Sequence, residues 1–351
     1  MSSLGSLLAS SPEHYPHRLD AVNEAVHFIR LTADQYRAAS FLDDRVLSPA
    51  TTGTWIRLEE IEAASTHLPE QLGFIFHQGH VGSTLLSRML DAAGAFHGVR
   101  EPSALTLLSH MAQQLDRPES LWSAETFERR LGLFLRLWSR PAAAGQMAVV
   151  KATSWASELA EAIVSRPSRP RAVLLKVPAE SYLAGVLASP GGLSDVRGSA
   201  AQAMARLHGR LGETPWTLHA MSLGERVAMV WVCEMLALEA AWRAAPDRTL
   251  WLNFEALLRD PASCLGEVAA HLGRPLDATA IAGVINGPTM SRYSKQPEHP
   301  FDPGLRRKVL AQSRLVNAAE LAAGQRWLDP AGARYPHIGA LIECAAHHQA
   351  A

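Results

Sequence analysis

The chain has 351 residues, 48% of them hydrophobic, enough to bury a substantial core as one large domain or two modest ones. Its 33 basic and 34 acidic side chains leave a formal charge of -1, which excludes a global field that would recruit nucleic acid or an anionic membrane surface, so any anion site must be local. Three cysteines, Cys233, Cys264 and Cys344, lie far apart without CxxC spacing, which argues against a zinc site and supplies no disulfide framework.

From the N-terminus, Met1 to Arg18 lacks a basic segment ahead of an apolar stretch and carries Glu13 early, so no secretory leader is expected. Residues 1–70 read as an extension packed on the core, with a period-two strand at Val26–Leu31 and a helix near Asp34–Ser40. The most informative run follows: Leu72-Gly-Phe-Ile-Phe-His-Gln-Gly-His-Val-Gly-Ser-Thr-Leu-Leu-Ser-Arg-Met-Leu90, an apolar strand, a Gly-interrupted polar turn and an amphipathic helix without a gap. That is the order of a phosphate-binding loop. Gly79 and Gly82 permit a tight turn, and the amides of Gly82, Ser83 and Thr84 open the helix at its positive dipole end. Anchored on Gly82, the ATPase pattern GxxxxGK[ST] finds His77 in place of its first Gly and Ser83 in place of its Lys, so only Thr84 fits.

Apolar strands are expected at 73–77, 148–152, 171–176 and 249–253, alternating with helical segments, which indicates a parallel sheet covered by helices on both faces. Ligands bind such sheets outside the carboxyl ends of the strands, and His80, Glu101, Lys151 and Lys176 all fall there. A buried Lys151 at a strand end demands an anion. Leu121–Arg140 has helical apolar spacing and reads as packing, Ser189–Gly198 reads as a loop rich in turn residues that caps a substrate, and Arg226–Trp242 as an apolar helix. The stretch Val227–Leu238 is interrupted by Glu234 and falls short of the ~20 residues of a membrane span; a cytoplasmic protein is expected. After residue 276 come the basic segment Ser291–Pro297 and the helix-compatible Pro303–Arg314 and Ala318–Trp327.

The turn Gly82-Ser-Thr-Leu-Leu86 after an apolar strand resembles the 5′-phosphosulfate loop of the sulfotransferases. The likeness continues in order through Val99-Arg-Glu-Pro102, Ala148-Val-Val-Lys-Ala-Thr153, Arg171–Tyr182 and Leu250–Pro261 with the helix to Gly273. It implies an α/β P-loop nucleotide-binding fold over residues 71–275 with a mostly helical tail at 276–351. It also implies 3′-phosphoadenosine 5′-phosphosulfate as donor without a metal, and a small-molecule, glycan or peptide hydroxyl as acceptor. On this resemblance Gly79, His80, Val81, Gly82, Ser83 and Thr84 hold the 5′-phosphosulfate, and Glu101 is the general base. His80 stands where the family shows Lys or Arg, so its charge is conditional rather than permanent. Lys176 takes the Arg position of the 3′-phosphate element, Ser181 is its nearest hydroxyl because Ala184 replaces the usual Ser, and Arg292 and Lys295 close over the donor. The alternatives are a non-catalytic nucleotide- or anion-binding protein on the same fold, and a phosphotransferase. The latter is disfavoured by Ser83 in the lysine position and by Glu255 as the only approximate metal-holding acid.

Overall fold

The computed structural model describes residues 4–295, 298, 300 and 302–347; Gln296 and Pro297 of the basic tail segment lie outside the described residues. Strands β1 (His14–Asp20), β2 (Ala25–Arg30) and β3 (Gly53–Arg57) form an antiparallel sheet in that order. The sequence predicts only β2 here. In β1 a register shift between Pro16 and Arg18 breaks the alternation on which a strand is recognised.

The central sheet comprises β4 (Leu72–His77), β5 (Phe96–Arg100), β6 (Met147–Lys151), β7 (Arg171–Lys176) and β8 (Thr249–Asn253). All pair in parallel, in the order β5-β6-β4-β7-β8. Burial along β4 to β7 is almost unbroken, as a sheet covered on both faces requires. The crossover from β4 to β5 runs toward one edge, whereas those leaving β5, β6 and β7 run toward the other. Right-handed crossovers then put the helix Ser83–Ala92 on one face and the helices Ser103–Ala112, Ala124–Trp138 and Leu223–Ala244 on the opposite face. The helix Pro261–His271 packs beside Ser83–Ala92. The winding reverses at the carboxyl ends of β4 and β6, where open sheets receive ligands.

One expectation is corrected. Ser189–Gly198 is not a loop but the first half of a 22-residue helix, Pro190–Leu211. Ser189 caps it by accepting from the Gly192 amide at 3.1 Å, and Pro190 occupies the first turn, where its missing N–H costs nothing. A Cβ on Gly192 would stand 3.1 Å from the Val186 carbonyl. The glycine therefore serves a close approach to the preceding helix, Ala179–Leu187, rather than a turn.

Both termini close over the sheet. Buried Arg100 donates to the carbonyls of Tyr36, Arg37 and Ala39 at 2.7, 3.1 and 2.9 Å and pairs with Asp91, while Arg140 donates to those of Leu8 and His14 at 2.7 and 3.0 Å. At the other end the helices Pro303–Val316, Ala318–Arg334 and Pro336–His347 cover Ala179–Leu187 and Leu223–Ala244. The last two run past the predicted limit at Trp327 even though Pro330 lies inside one of them.

His97 is buried edge-on to the Tyr36 ring at 4.7 Å, and burial lowers its pKa to about 4 against the opposing Asp91 charge. An unfolded imidazole titrates near ~6.5. As pH falls from ~6.5 toward 4 the unfolded chain binds a proton that the folded chain refuses, so stability present above that window is lost within it, by roughly 3 kcal/mol from His97 alone. Urea melts from pH 7 to pH 4 are expected to show the decline, and His97→Leu to flatten it by about one proton; an unchanged slope in the variant rules the assignment out.

Candidate functional site

The turn after β4 is built on left-handed backbone. Gly79, His80 and Gly82 have φ of 88°, 53° and 75°, so the chain reverses within four residues and delivers Ser83 to the first turn of the helix. His77 holds it from below: its Nδ1 accepts from the Gly79 amide at 3.0 Å, and its Nε2 donates to the Ala152 carbonyl at 2.8 Å. Burial keeps this imidazole well below its ordinary pKa, and the two bonds fix the neutral Nε2–H tautomer. Ser83 and Thr84 are buried at the helix start, and the Thr84 hydroxyl has no partner within the protein. Unpaired amides, a helix dipole and an unclaimed hydroxyl together suit an anion.

The register places Arg100 opposite Lys151, so Glu101 emerges beside the end of β6. Its amide donates to the Lys151 carbonyl at 2.7 Å, and its Oε1 receives the Lys151 ammonium. Lys151 is fully buried; burial lowers its pKa and the Glu101 charge opposes that. The anion that Lys151 required is thus a side chain of the same protein. Glu101 Oε2 has the Arg45 guanidinium at 3.9 Å, and the residue's φ is 51°.

Two cavities meet here. One, of about 270 Å³, runs from the turn residues His80 to Leu85 past Lys151 and Phe254 to Leu305 and Val309. The other, of about 600 Å³, lies between the helices Ser103–Ala112, Pro190–Leu211 and Leu223–Ala244. His77, His80, Glu101 and Lys295 line both and form the partition. Arg292 lines the first, and Lys295 lies over the Phe41 ring, close enough to Asp195 to help lower that carboxyl's pKa.

The structure gathers Val81, Gly82, Ser83, Thr84, His80, Glu101, Lys151, Arg292 and Lys295 around the first cavity, with Gly79 on the second. It does not bring Lys176 or Ser181 into either wall. Lys176 is fully buried, its ammonium donating to the Cys344 carbonyl at 3.2 Å and lying over the Trp251 ring. Ala184 is also fully buried, its carbonyl accepting from Ser313 at 2.7 Å. The C-terminal helices occupy the places where the sequence pattern expects a 3′-phosphate. Glu255 is held by Arg306 at 2.8 Å. Among the described residues no cluster of three or more ligating side chains could hold a metal ion, and no helix is long and apolar enough to cross a membrane.

Sequence reasoning missed three participants. Asp195, on the helix read as a loop, takes His80 Nε2 at 3.0 Å; Arg45 arrives from the N-terminal extension. Arg88 donates to the Ser294 carbonyl at 2.8 Å and to Ser40, whose hydroxyl donates to the Lys295 carbonyl at 3.0 Å, so it fixes Lys295 at the partition. The signal available for Arg88 was a charge in the middle of a largely buried helix that carries only Asp91 besides it.

No family model and no curated protein matches the chain. Among solved structures it is similar to the sulfotransferase domain from the curacin biosynthetic pathway, at 14% identity over 72% of this chain and 99% of that one, TM-score 0.40. It is also similar to the sulfotransferase domain of the Synechococcus PCC 7002 olefin synthase, at 14% over 72% and 95%, TM-score 0.36, and to sulfotransferase STF9 from Mycobacterium avium, at 12% over 74% and 79%, TM-score 0.38. These likenesses are distant, and the functional reading rests on the site's own residues.

The two loop glycines separate two physical demands. A Cβ on Gly82 would lie 2.0 Å from the Phe254 ring, whereas one on Gly79 meets nothing closer than 3.5 Å. Gly79→Ala is expected to cost only the left-handed backbone term, about 1–2 kcal/mol. Gly82→Ala adds overpacking of about 1–3 kcal/mol, which denaturant unfolding of the two variants will resolve; equal costs would contradict this geometry.

Proposed function

We propose that the protein is a sulfotransferase that passes a sulfuryl group from 3′-phosphoadenosine 5′-phosphosulfate to an acceptor hydroxyl. The observation that carries the reading is the partition: a helix-opening turn on one side, a roomy cavity on the other, and a lysine-bound carboxylate facing both. The first cavity takes the donor, with the amides of Gly82, Ser83 and Thr84 and the Thr84 hydroxyl on the 5′-phosphosulfate. Arg292 and Lys295 supply cations over it. His80, hydrogen-bonded to Asp195, stands at the leaving oxygen and carries charge there when protonated.

The acceptor oxygen attacks sulfur from the second cavity, and a new S–O bond forms. The bond from sulfur to the 5′-phosphate oxygen breaks, and its electron pair leaves on adenosine 3′,5′-bisphosphate. The acceptor proton goes to Glu101 Oε2, the oxygen that Lys151 leaves free. Lys151 orients Glu101, while oriented donors at the transferring group offset its developing charge. A second reading, a nucleotide binder without turnover, draws on the burial of Lys176 and Ala184 beneath the C-terminal helices.

Calorimetric titration without magnesium is expected to show adenosine 3′,5′-bisphosphate binding more tightly than ADP. Lys295→Ala or Arg292→Ala should weaken it roughly ten- to hundred-fold, the ~1.5–3 kcal/mol of a charge-assisted contact. Equal affinities, or a requirement for magnesium, would exclude the donor assignment.

For the base, Glu101→Gln is expected to lower turnover by about 10²-fold or more while leaving bisphosphate affinity nearly unchanged. Because the variant strands Lys151 without its counter-charge, thermal unfolding is measured alongside. Full activity in a folded Gln variant would remove Glu101 from the role.

A further inference from the structure

Of the side chains on the partition, His77 is pinned as a neutral ring by two hydrogen bonds, Glu101 is paired with Lys151, and Lys295 carries an ammonium over the Phe41 ring. His80 is the member whose charge depends on a proton. Its ring makes one hydrogen bond among the described residues, between Nε2 and Asp195 Oδ2 at 3.0 Å. That bond, with the charges of His80, Lys295 and Arg45, holds the Asp195 carboxyl below its ordinary pKa against the opposing effect of burial. A carboxylate only accepts hydrogen bonds, so Nε2 carries a proton in the neutral ring as well as in the imidazolium. Neutral His80 therefore presents a bare Nδ1, an acceptor. Protonated His80 presents Nδ1–H, a donor with a full charge behind it.

Asp195 reaches His80 from a fixed element. It stands near the start of Pro190–Leu211, the helix capped by Ser189 and held close to Ala179–Leu187 at Gly192, and Val196, Ser199 and Gln202 of that helix line the second cavity. The Asp195 side chain is 68% exposed, so its bond to His80 adds little to folding. What it decides is which ring nitrogen is left to meet a ligand. The other charges nearby are paired, Arg45 with Asp43 and Arg206 with Glu234, and burial keeps the Tyr182 hydroxyl from ionising.

We propose that Asp195 is a positioning residue that makes His80 a proton-dependent cation, so that an anion binding at the glycine turn is accompanied by uptake of one proton on His80 Nδ1. On the donor assignment made above, that N–H meets the oxygen at which the bond to sulfur breaks. The leaving oxygen takes the electron pair, and the imidazolium bond offsets its charge. The proton came from solvent and returns there when the bisphosphate departs, so none is consumed. The pair thus does conditionally what a lysine or arginine does permanently in the family that the turn resembles.

The test is calorimetric titration of the intact protein with adenosine 3′,5′-bisphosphate from about pH 6.5 to about pH 9, in paired buffers of different ionisation enthalpy, which counts the protons taken up. Asp195→Asn, His80→Lys and the double variant are titrated alongside. The wild type is expected to take up close to one proton at the alkaline end and to lose affinity as pH rises, by up to about tenfold per unit. Asp195→Asn should begin that loss at lower pH and bind about threefold or more weakly near pH 8, converging with the wild type at the acid end. His80→Lys should flatten the profile, and adding Asp195→Asn should leave it flat. The His80→Lys profile is the baseline for the others: it retains the ligand's own phosphate ionisation, and any proton on Glu234, whose pKa burial raises to about 7.

A wild-type profile as flat as that of His80→Lys overturns the proposal, as does an Asp195→Asn profile that superimposes on the wild type. Failure of the bisphosphate to bind at any pH strikes the donor assignment instead. The same titrations with inorganic sulfate then decide the role of Asp195: sulfate binding whose proton uptake is lost in His80→Lys and shifted in Asp195→Asn upholds it, and sulfate binding without proton uptake, or no binding, ends it.

Discussion

The buried ammonium of Lys151 is the constraint around which the site is organised. Moving an ion out of water costs several kcal/mol even after relaxation, and an unpaired buried charge costs about 3–5 kcal/mol. The carboxylate that offsets this comes from the next strand, one residue beyond its end. To reach Lys151, Glu101 adopts left-handed backbone, a conformation worth about 1–3 kcal/mol of strain in a residue with a side chain. The ion pair and the amide bond to the Lys151 carbonyl offset that strain. The carboxylate is thereby set rigidly between two cavities, one oxygen occupied and one free.

The glycine turn after β4 is shaped by a second local demand. Three left-handed residues in four turn the chain sharply enough for the Ser83 helix to begin at the sheet end, and Phe254, from the segment after β8, packs where a Gly82 side chain would be. The turn is therefore fixed both by its own backbone and by a ring from the far end of the core. His77 completes the fixation as a neutral imidazole whose two nitrogens are both used.

The termini convert this sheet-end arrangement into a walled site. Arg100 and Arg140 clasp backbone carbonyls of the N-terminal segment, bringing Phe41, Asp43 and Arg45 to the second cavity. Arg88 spans from that segment to the residues before Lys295. In each case a guanidinium satisfies several carbonyls that have no strand or helix partner, which is how irregular chain can be laid over a core without stranding its polar groups. The same device at the C-terminus, Lys176 under Cys344, occupies a strand end that in the sequence pattern is open to ligand.

The order of the central strands, the glycine turn after β4 and the strand-end position of Glu101 and Lys151 were legible in the sequence. Each depends on local pattern: apolar runs of strand length, glycines where φ is positive, a polar residue directly after an apolar run. Pairing between distant elements was not legible. Nothing in residue types says that Asp195 reaches His80, that Ser189–Gly198 is helical because Gly192 must approach Val186, or that Arg88 fixes Lys295. The surroundings of Lys176 have the same origin. Its position in β7 was readable from sequence, but that its ammonium meets the Cys344 carbonyl was decided by a C-terminal segment 168 residues away, through long-range packing that no local pattern encodes.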